Sequence, residues 1–213
     1  MSINPIEVLG RPAAPTRTLV SKLWRKYVLR GISANDNHAG LDKLYALPDP
    51  WGMDSAREQS RFAQTNAVIE ARAGHVGSML EIGSGEGHQS AHLATLADRL
   101  DGLEVSERAV LRARERFTGD ARLRFGAGDL DRLPFEPPAG GYDLVVACEV
   151  LYYMSDIGHA VQRMSSLGRA CLVTFFAPSA RVVARHLEAL PGAERGWIYH
   201  DPYAWLWVYW RNR

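Results

Sequence analysis

Much that would assign a class at once is missing from this sequence. Among 213 residues there are two cysteines, Cys148 and Cys171, and each sits inside an apolar run. That placement favours reduced thiols packed as small hydrophobes, and hence a reducing compartment. No apolar run approaches the roughly 18 residues needed to cross a bilayer. The first residues, MSINPIEVLGRPAAP, lack the positive stretch and apolar core of a secretory leader. Charge of one sign is absent as well: 25 Lys and Arg against 24 Asp and Glu leave +1. Nothing in that balance draws in a nucleic acid or another polyanion. No Cys/His/Asp spacing suggests a metal site, and there is no internal repeat. The expectation is a cytoplasmic protein without stable membrane insertion or nucleic-acid partner, its oligomeric state open.

What is present is an alternation. Patterns of helical length (RFAQTNAVIEARA, HQSAHLATLADR, SERAVLRARERF, IGHAVQRMSSL, SARVVARHLEAL) separate short apolar runs (SMLEIG, LDGLEV, ARLRFGAGDL, YDLVVACEV, ACLVTFFA). Such an order reads as βαβ units around a parallel sheet, in a chain long enough for one α/β domain. Ser106 and Ser179 are expected helix starts. The rhythm breaks at RGWIYHDPYAWLWVYW, where two aromatic β-rich segments are separated only by Asp201-Pro202. So short a connection joins antiparallel strands, and the sheet should end in a hairpin.

Residues 79–91, MLEIGSGEGHQSA, place Gly83, Gly85 and Gly87 at alternate positions between a strand and a helix start. Glycines there allow a backbone that side chains would obstruct, as a bound ligand requires. The dinucleotide fingerprint needs its third glycine where His88 stands, which counts against NAD. Glu104 ends the second strand about 20 residues past the first glycine, where a carboxylate meets ribose hydroxyls. Asp129 closes the third strand in GAGDL.

Five parallel strands, a terminal hairpin and the order E-x-G-x-G-x-G resemble the class I S-adenosylmethionine-dependent methyltransferases. That resemblance implies a Rossmann-like, doubly wound, mostly parallel seven-stranded sheet ending in an antiparallel hairpin. It divides the chain into an N-terminal extension and helical lid over 1–58 and an S-adenosylmethionine-binding domain over 59–213. It also implies a cofactor site. Glu81 orients the loop Gly83, Ser84, Gly85 and Gly87; Glu104 with Val105 holds the ribose; Asp129 accepts from the adenine amino group, with Leu130 beside the base. More specifically, YDLVVACEVLYYM and LPDPWGMDSAREQSR resemble segments of the nodulation protein S (NodS) N-methyltransferases of rhizobia. With LEIGSGEG the resemblance covers residues 45 to 165 and implies a small-molecule acceptor, an amino sugar. The alternative within the scaffold is an O-methyltransferase acting on a sugar or phenolic hydroxyl.

Methyl transfer from a sulfonium mostly asks an enzyme for proximity and orientation, and an amine acceptor must also lose its proton. Glu149, ending the fourth strand, is the candidate to take it or to contact the cofactor. Tyr152 is a second catalytic candidate and Tyr153 a substrate contact. A sixth strand parallel to the first five would bring His200, Asp201 and Tyr203 to the substrate mouth, with His200 a possible base near neutral pH. Trp51, after Pro48-Asp49-Pro50, is placed in the lid as a stacking face for a sugar or cation. Residues 1–16 are expected to be mobile. In TLVSKLWRKYVLRG, helical projection separates an apolar arc (Val20, Leu23, Trp24, Tyr27, Val28) from a basic one (Lys22, Arg25, Lys26, Arg30), as in a helix docked on its own domain.

Overall fold

The structure, a computed structural model, describes residues 36–212. The expectations for residues 1–16 and for a basic-faced helix over 18–31 fall outside the described residues. Seven strands form one sheet: β1 (Val76–Ile82), β2 (Ala97–Glu104), β3 (Leu123–Ala127), β4 (Tyr142–Cys148), β5 (Gly168–Phe176), β6 (Glu194–His200) and β7 (Tyr203–Arg211). Their spatial order is β3-β2-β1-β4-β5-β7-β6. β1 to β5 run parallel, and β7 pairs antiparallel with both β5 and β6. Only β7 therefore opposes the rest. The seven-stranded, mostly parallel sheet with its terminal hairpin is as the sequence implied.

The helices are α1 (His38–Leu44), α2 (Ala56–Arg72), α3 (Ser90–Leu93), α4 (Glu107–Arg116), α5 (Ile157–Leu167) and α6 (Ala180–Val183). They cover both sheet faces, so the central strands are apolar on both. On one face Val145, Ala147, Cys171 and Val173 pack with Ala160, Val161 and Met164 of α5 and Val183 of α6. On the other, Leu144, Val146 and Leu172 pack with Ile69 of α2, Leu93 of α3 and Val110 of α4. Each buried Val, Leu, Ile or Met among these contributes roughly 1.5–3 kcal/mol relative to exposure. In β7, Trp205, Trp207, Tyr209 and Trp210 are buried and serve as core.

Two helices are shorter than their patterns. HQSAHLATLADR forms only α3 and a 3₁₀ turn over Ala94–Leu96, after which Ala97 pairs with Val76 and Arg99 with Ser78. Ladder pairing along β1 overrides the modest helix preference of that segment. SARVVARHLEAL likewise breaks into α6 flanked by 3₁₀ turns, and Ser179 makes no side-chain cap. Ser106 does cap α4, its hydroxyl accepting from Ala109 N at 3.3 Å.

One polar cluster lies within the sheet. Asp101 of β2, fully buried, accepts from Arg124 twice at 2.7 Å, from Arg99 at 3.0 Å and from the Tyr142 hydroxyl at 2.8 Å. Asp101→Ala strands a buried phenol and uncouples two guanidinium groups. Stability should fall by about 2–4 kcal/mol, read as a lower urea midpoint at unchanged slope.

Candidate functional site

At the C-terminal ends of β1, β2 and β4 lies a cavity of ≈ 620 Å³, roofed by residues 36–57. This is the edge at which open α/β sheets take ligands. Its first wall is the loop after β1. Gly83 N and Ser84 N both donate to Leu103 O, turning the chain sharply off the strand. Gly83 (φ 73°) and Gly87 (φ 79°) adopt left-handed backbone. A Cβ on Gly83 would lie 2.7 Å from Val150, and one on Gly87 2.7 Å from Phe117, so neither position tolerates a side chain.

Glu104 ends β2 beneath this loop. Its carboxylate accepts from Gly85 N at 2.9 Å and from Ser106 N at 3.0 Å, tying the glycine loop to the start of α4. Burial pushes its acidity down, raising the pKa, while the Ser106 and Gly85 N–H groups oppose the shift. Each oxygen still has a lone pair to offer a ligand hydroxyl. Val105, Asp129 and Leu130 continue the wall. Asp129 Oδ1 accepts from Asp131 N and Arg132 N at 3.0 and 2.9 Å, which shapes the turn after β3. Two buried polar atoms on lining residues, Ser84 Oγ and Gln89 Nε2, have no partner among the described residues. Buried donors left so are expected to meet a ligand.

The second wall is carboxylic. Glu149, after β4, adopts φ 63°, costly for a residue with a Cβ. It is held there by Thr174 O, which accepts from Glu149 N at 2.9 Å. Its side chain accepts from Tyr152 OH at 3.2 Å, Phe176 N at 3.1 Å and Thr174 Oγ1 at 3.4 Å. Burial raises its pKa to about 7, with Arg61 and Tyr152 pulling the other way. Glu81 accepts from the Ser90 hydroxyl, and burial lifts it to about 8. Burial also pushes the neighbouring Cys148 thiol up to about 12, leaving it neutral.

Arg61 of α2 is fully buried, donating to Glu58 at 2.8 Å and Gln89 at 3.0 Å. Motif and spacing do not single out Arg61, Glu58 or Gln89. A signal exists nonetheless: Ile69, Thr65, Phe62, Glu58 and Arg61 lie on one helical stripe, so the core face of α2 runs through the charged pair.

The roof is pinned to the glycine loop. Glu86 accepts from Asp49 N at 2.8 Å and pairs with Arg112, whose other nitrogen donates to Tyr45 O. His88 lies between Asp54 and Arg116, at 3.2 and 2.9 Å. Trp51 donates to Tyr45 OH at 3.1 Å, and its ring lies 5.8 Å from that of Tyr153. Across the cavity Tyr203 sits by Phe176 and Trp205, with the Arg57 guanidinium 4.8 Å over its ring.

Of the residues expected at the site, Trp51, Glu81, Gly83, Ser84, Gly85, Glu104, Val105, Asp129, Leu130, Glu149, Tyr152, Tyr153 and Tyr203 line this one cavity. Gly87 and His200 are not among its lining residues. Gly87 is turned onto Phe117. His200 pairs with Tyr203 in register, but β7 lies between β5 and β6 and sets β6 one strand farther out. Among the described residues, no helix is long and apolar enough to cross a membrane.

Comparison with known proteins bears on this geometry. The chain is 34% identical over 127 residues to Nodulation protein S of Bradyrhizobium diazoefficiens, covering 59% of each chain. It is 30% identical over 146 residues to that of Rhizobium tropici, covering 68% of this chain and 60% of the relative. The matched stretch thus spans about three fifths of these relatives' own lengths. In fold it is similar to the N-methyltransferase NodS from Bradyrhizobium japonicum WM9 in complex with S-adenosyl-L-homocysteine, with a TM-score of 0.69 at 24% identity over 82% of this chain and 97% of that one. The family described as Nodulation protein S (NodS) matches residues 33–196, a span that holds the glycine loop, Glu104, Glu149 and the Tyr152-Tyr153 pair, and the chain belongs to that family.

Proposed function

We propose that this chain is an S-adenosylmethionine-dependent methyltransferase that methylates an amine of a small-molecule acceptor, an amino sugar or amino-oligosaccharide. The observation that carries the reading is Glu149: a half-buried carboxyl on a strained backbone position, where the glycine-loop wall of the cavity meets the aromatic one. Membership of the NodS family supports the same chemistry.

Bound S-adenosylmethionine supplies an electrophilic methyl group on a sulfonium. Glu104 accepts from the ribose hydroxyls while it holds Gly85 and Ser106 in place. Asp129 and Leu130 flank the base, and Ser84, Gln89 and Glu81 receive the amino-acid end. Glu149 removes the proton that an ammonium acceptor must lose, and Tyr152 orients that carboxyl through its hydrogen bond. Trp51, Tyr153 and Tyr203 offer ring faces to the acceptor, and the latched roof keeps water from the methyl group.

The reading is tested by measuring S-adenosylhomocysteine release with chitooligosaccharides carrying either a free terminal amine or a full set of acetyl groups. Release with the free amine alone is expected. Release with the acetylated sugar instead would move the reaction to a hydroxyl, and release with neither would remove the amino-sugar assignment.

A further inference from the structure

Four carboxyl groups and one buried guanidinium line the same end of the cavity. Glu58 and Arg61 come from α2, Glu81 from β1, Glu104 from β2 and Glu149 from the end of β4. Arg61 is already engaged by Glu58 and Gln89. Glu104 is spoken for by two backbone N–H groups. Glu81 has the Ser90 hydroxyl, and Glu149 has Tyr152, Thr174 and Phe176 N, all neutral donors. The Cys148 thiol beside them is neutral, and the other nearby groups act elsewhere, Arg57 on Glu58 and His38 on Glu104. Arg57, half-exposed at the rim, reaches Glu58 at 2.6 Å. Two guanidinium groups thus face four acids, Glu81 and Glu149 are left with no direct ion pair, and the protein's own remedy is to keep some of the acids protonated.

The donor brings the missing charge. S-adenosylmethionine carries a sulfonium, an ammonium and a carboxylate, for a net charge of +1. S-adenosylhomocysteine, its sulfur neutral, carries none. We propose that Glu81 and Glu149 exchange a bound proton for the positive charge of the donor, so that this acid pair distinguishes methyl donor from spent product. The inference rests on the donor reading above and deepens it.

The step balances. A neutral carboxyl becomes carboxylate beside the incoming sulfonium, and its proton leaves to solvent. Glu149, ionised by that event, is then the base that accepts the proton of the ammonium acceptor. Methyl transfer moves the positive charge from sulfur to the methylated nitrogen. Glu149 is left neutral beside a neutral thioether, as it began. Below pH 7, where the free protein holds Glu149 mostly protonated, binding of the donor is thus what arms the base.

The sign follows from the free protein, where burial sets Glu81 at about 8 and Glu149 at about 7. Both are raised, so below pH 7 the donor must displace protons that it need not displace above pH 8. Donor affinity should rise by about tenfold from pH 6 to pH 7, and product affinity by far less.

Isothermal titration of the full chain at pH 7.0, in phosphate and in imidazole buffer and without acceptor, reads the exchange directly. The difference in heat between buffers should correspond to about one proton released per S-adenosylmethionine and less than half of that for S-adenosylhomocysteine. Glu81→Gln and Glu149→Gln should each reduce the release on donor binding. Donor binding with no proton released, or with as many as the product releases, overturns the exchange and leaves the cofactor reading intact. No binding of either ligand overturns both.

Discussion

Glu104→Ala is expected to raise the dissociation constant for S-adenosylmethionine by about a hundredfold or more. The carboxylate is buried and both of its oxygens are used by the protein, one on Gly85 N and one on Ser106 N. Alanine removes two charge-assisted hydrogen bonds to the ribose, each worth roughly 1.5–3 kcal/mol. It also releases the glycine loop from the start of α4, so the loop must be ordered again when ligand binds. A loss of about 3 kcal/mol corresponds to that hundredfold change. Glu104→Gln should fall between, because an amide keeps one acceptor but turns an N–H toward a backbone N–H. Isothermal titration on variants whose circular dichroism matches the parent checks this. A constant within threefold of the parent's would remove Glu104 from the ribose site.

Glu149→Gln should lower kcat by about a hundredfold, within the range general base catalysis supplies, and leave cofactor affinity within a few-fold. Glutamine keeps the acceptor oxygen that Tyr152 and Phe176 N use, so the wall of the cavity survives and only the proton chemistry is lost. The parent enzyme's kcat/KM, which reports the free protein, should fall tenfold per unit as pH drops below about 7, because a base must be ionised to act. In the variant that limb should vanish. Activity should return in part near pH 9, where an amine acceptor is already neutral. A variant that keeps the parent's pH profile would show that Glu149 positions ligand and moves no proton.

Both predictions concern residues that the sequence alone makes legible. Glu104 and Glu149 end strands, and an acid at the C-terminal end of a parallel strand is exposed to whatever binds there. The same logic locates the glycine loop, since only a ligand or a close packing partner explains three glycines in five residues. The structure adds that packing shares the reason: Gly83 is crowded by Val150 and Gly87 by Phe117. Arg61 is illegible for a different cause. Charged residues on a helix normally mark its solvated face, and this one instead lies on the stripe that Phe62 and Ile69 bury. Helix lengths after β1 and β5 mislead because apolar residues spaced for a helix can be drawn into a ladder by a neighbouring strand, a long-range effect that no local window contains. His200 shows the limit of topology without order. The direction of β6 follows from a parallel sheet, but the insertion of β7 between β5 and β6 does not.

That insertion also sets a sequence of events during synthesis. Strands β3, β2, β1 and β4 are all made before residue 149, and each after β1 pairs with a neighbour already present. The half that carries the glycine loop therefore has every strand partner it needs while the rest of the chain is still being made. β6 does not, because its one partner strand among the described residues is β7, which follows it. Until Tyr203–Arg211 emerges, a nascent chain carries the glycine loop, Glu104 and Asp129 facing a gap where Tyr203 and Trp205 will stand. Completion of the acceptor side is thus the last act of folding, made by long-range antiparallel pairing of a kind that closes slowly. A ribosome stalled before those residues would hold a protein whose glycine-loop wall is complete and whose aromatic wall is missing.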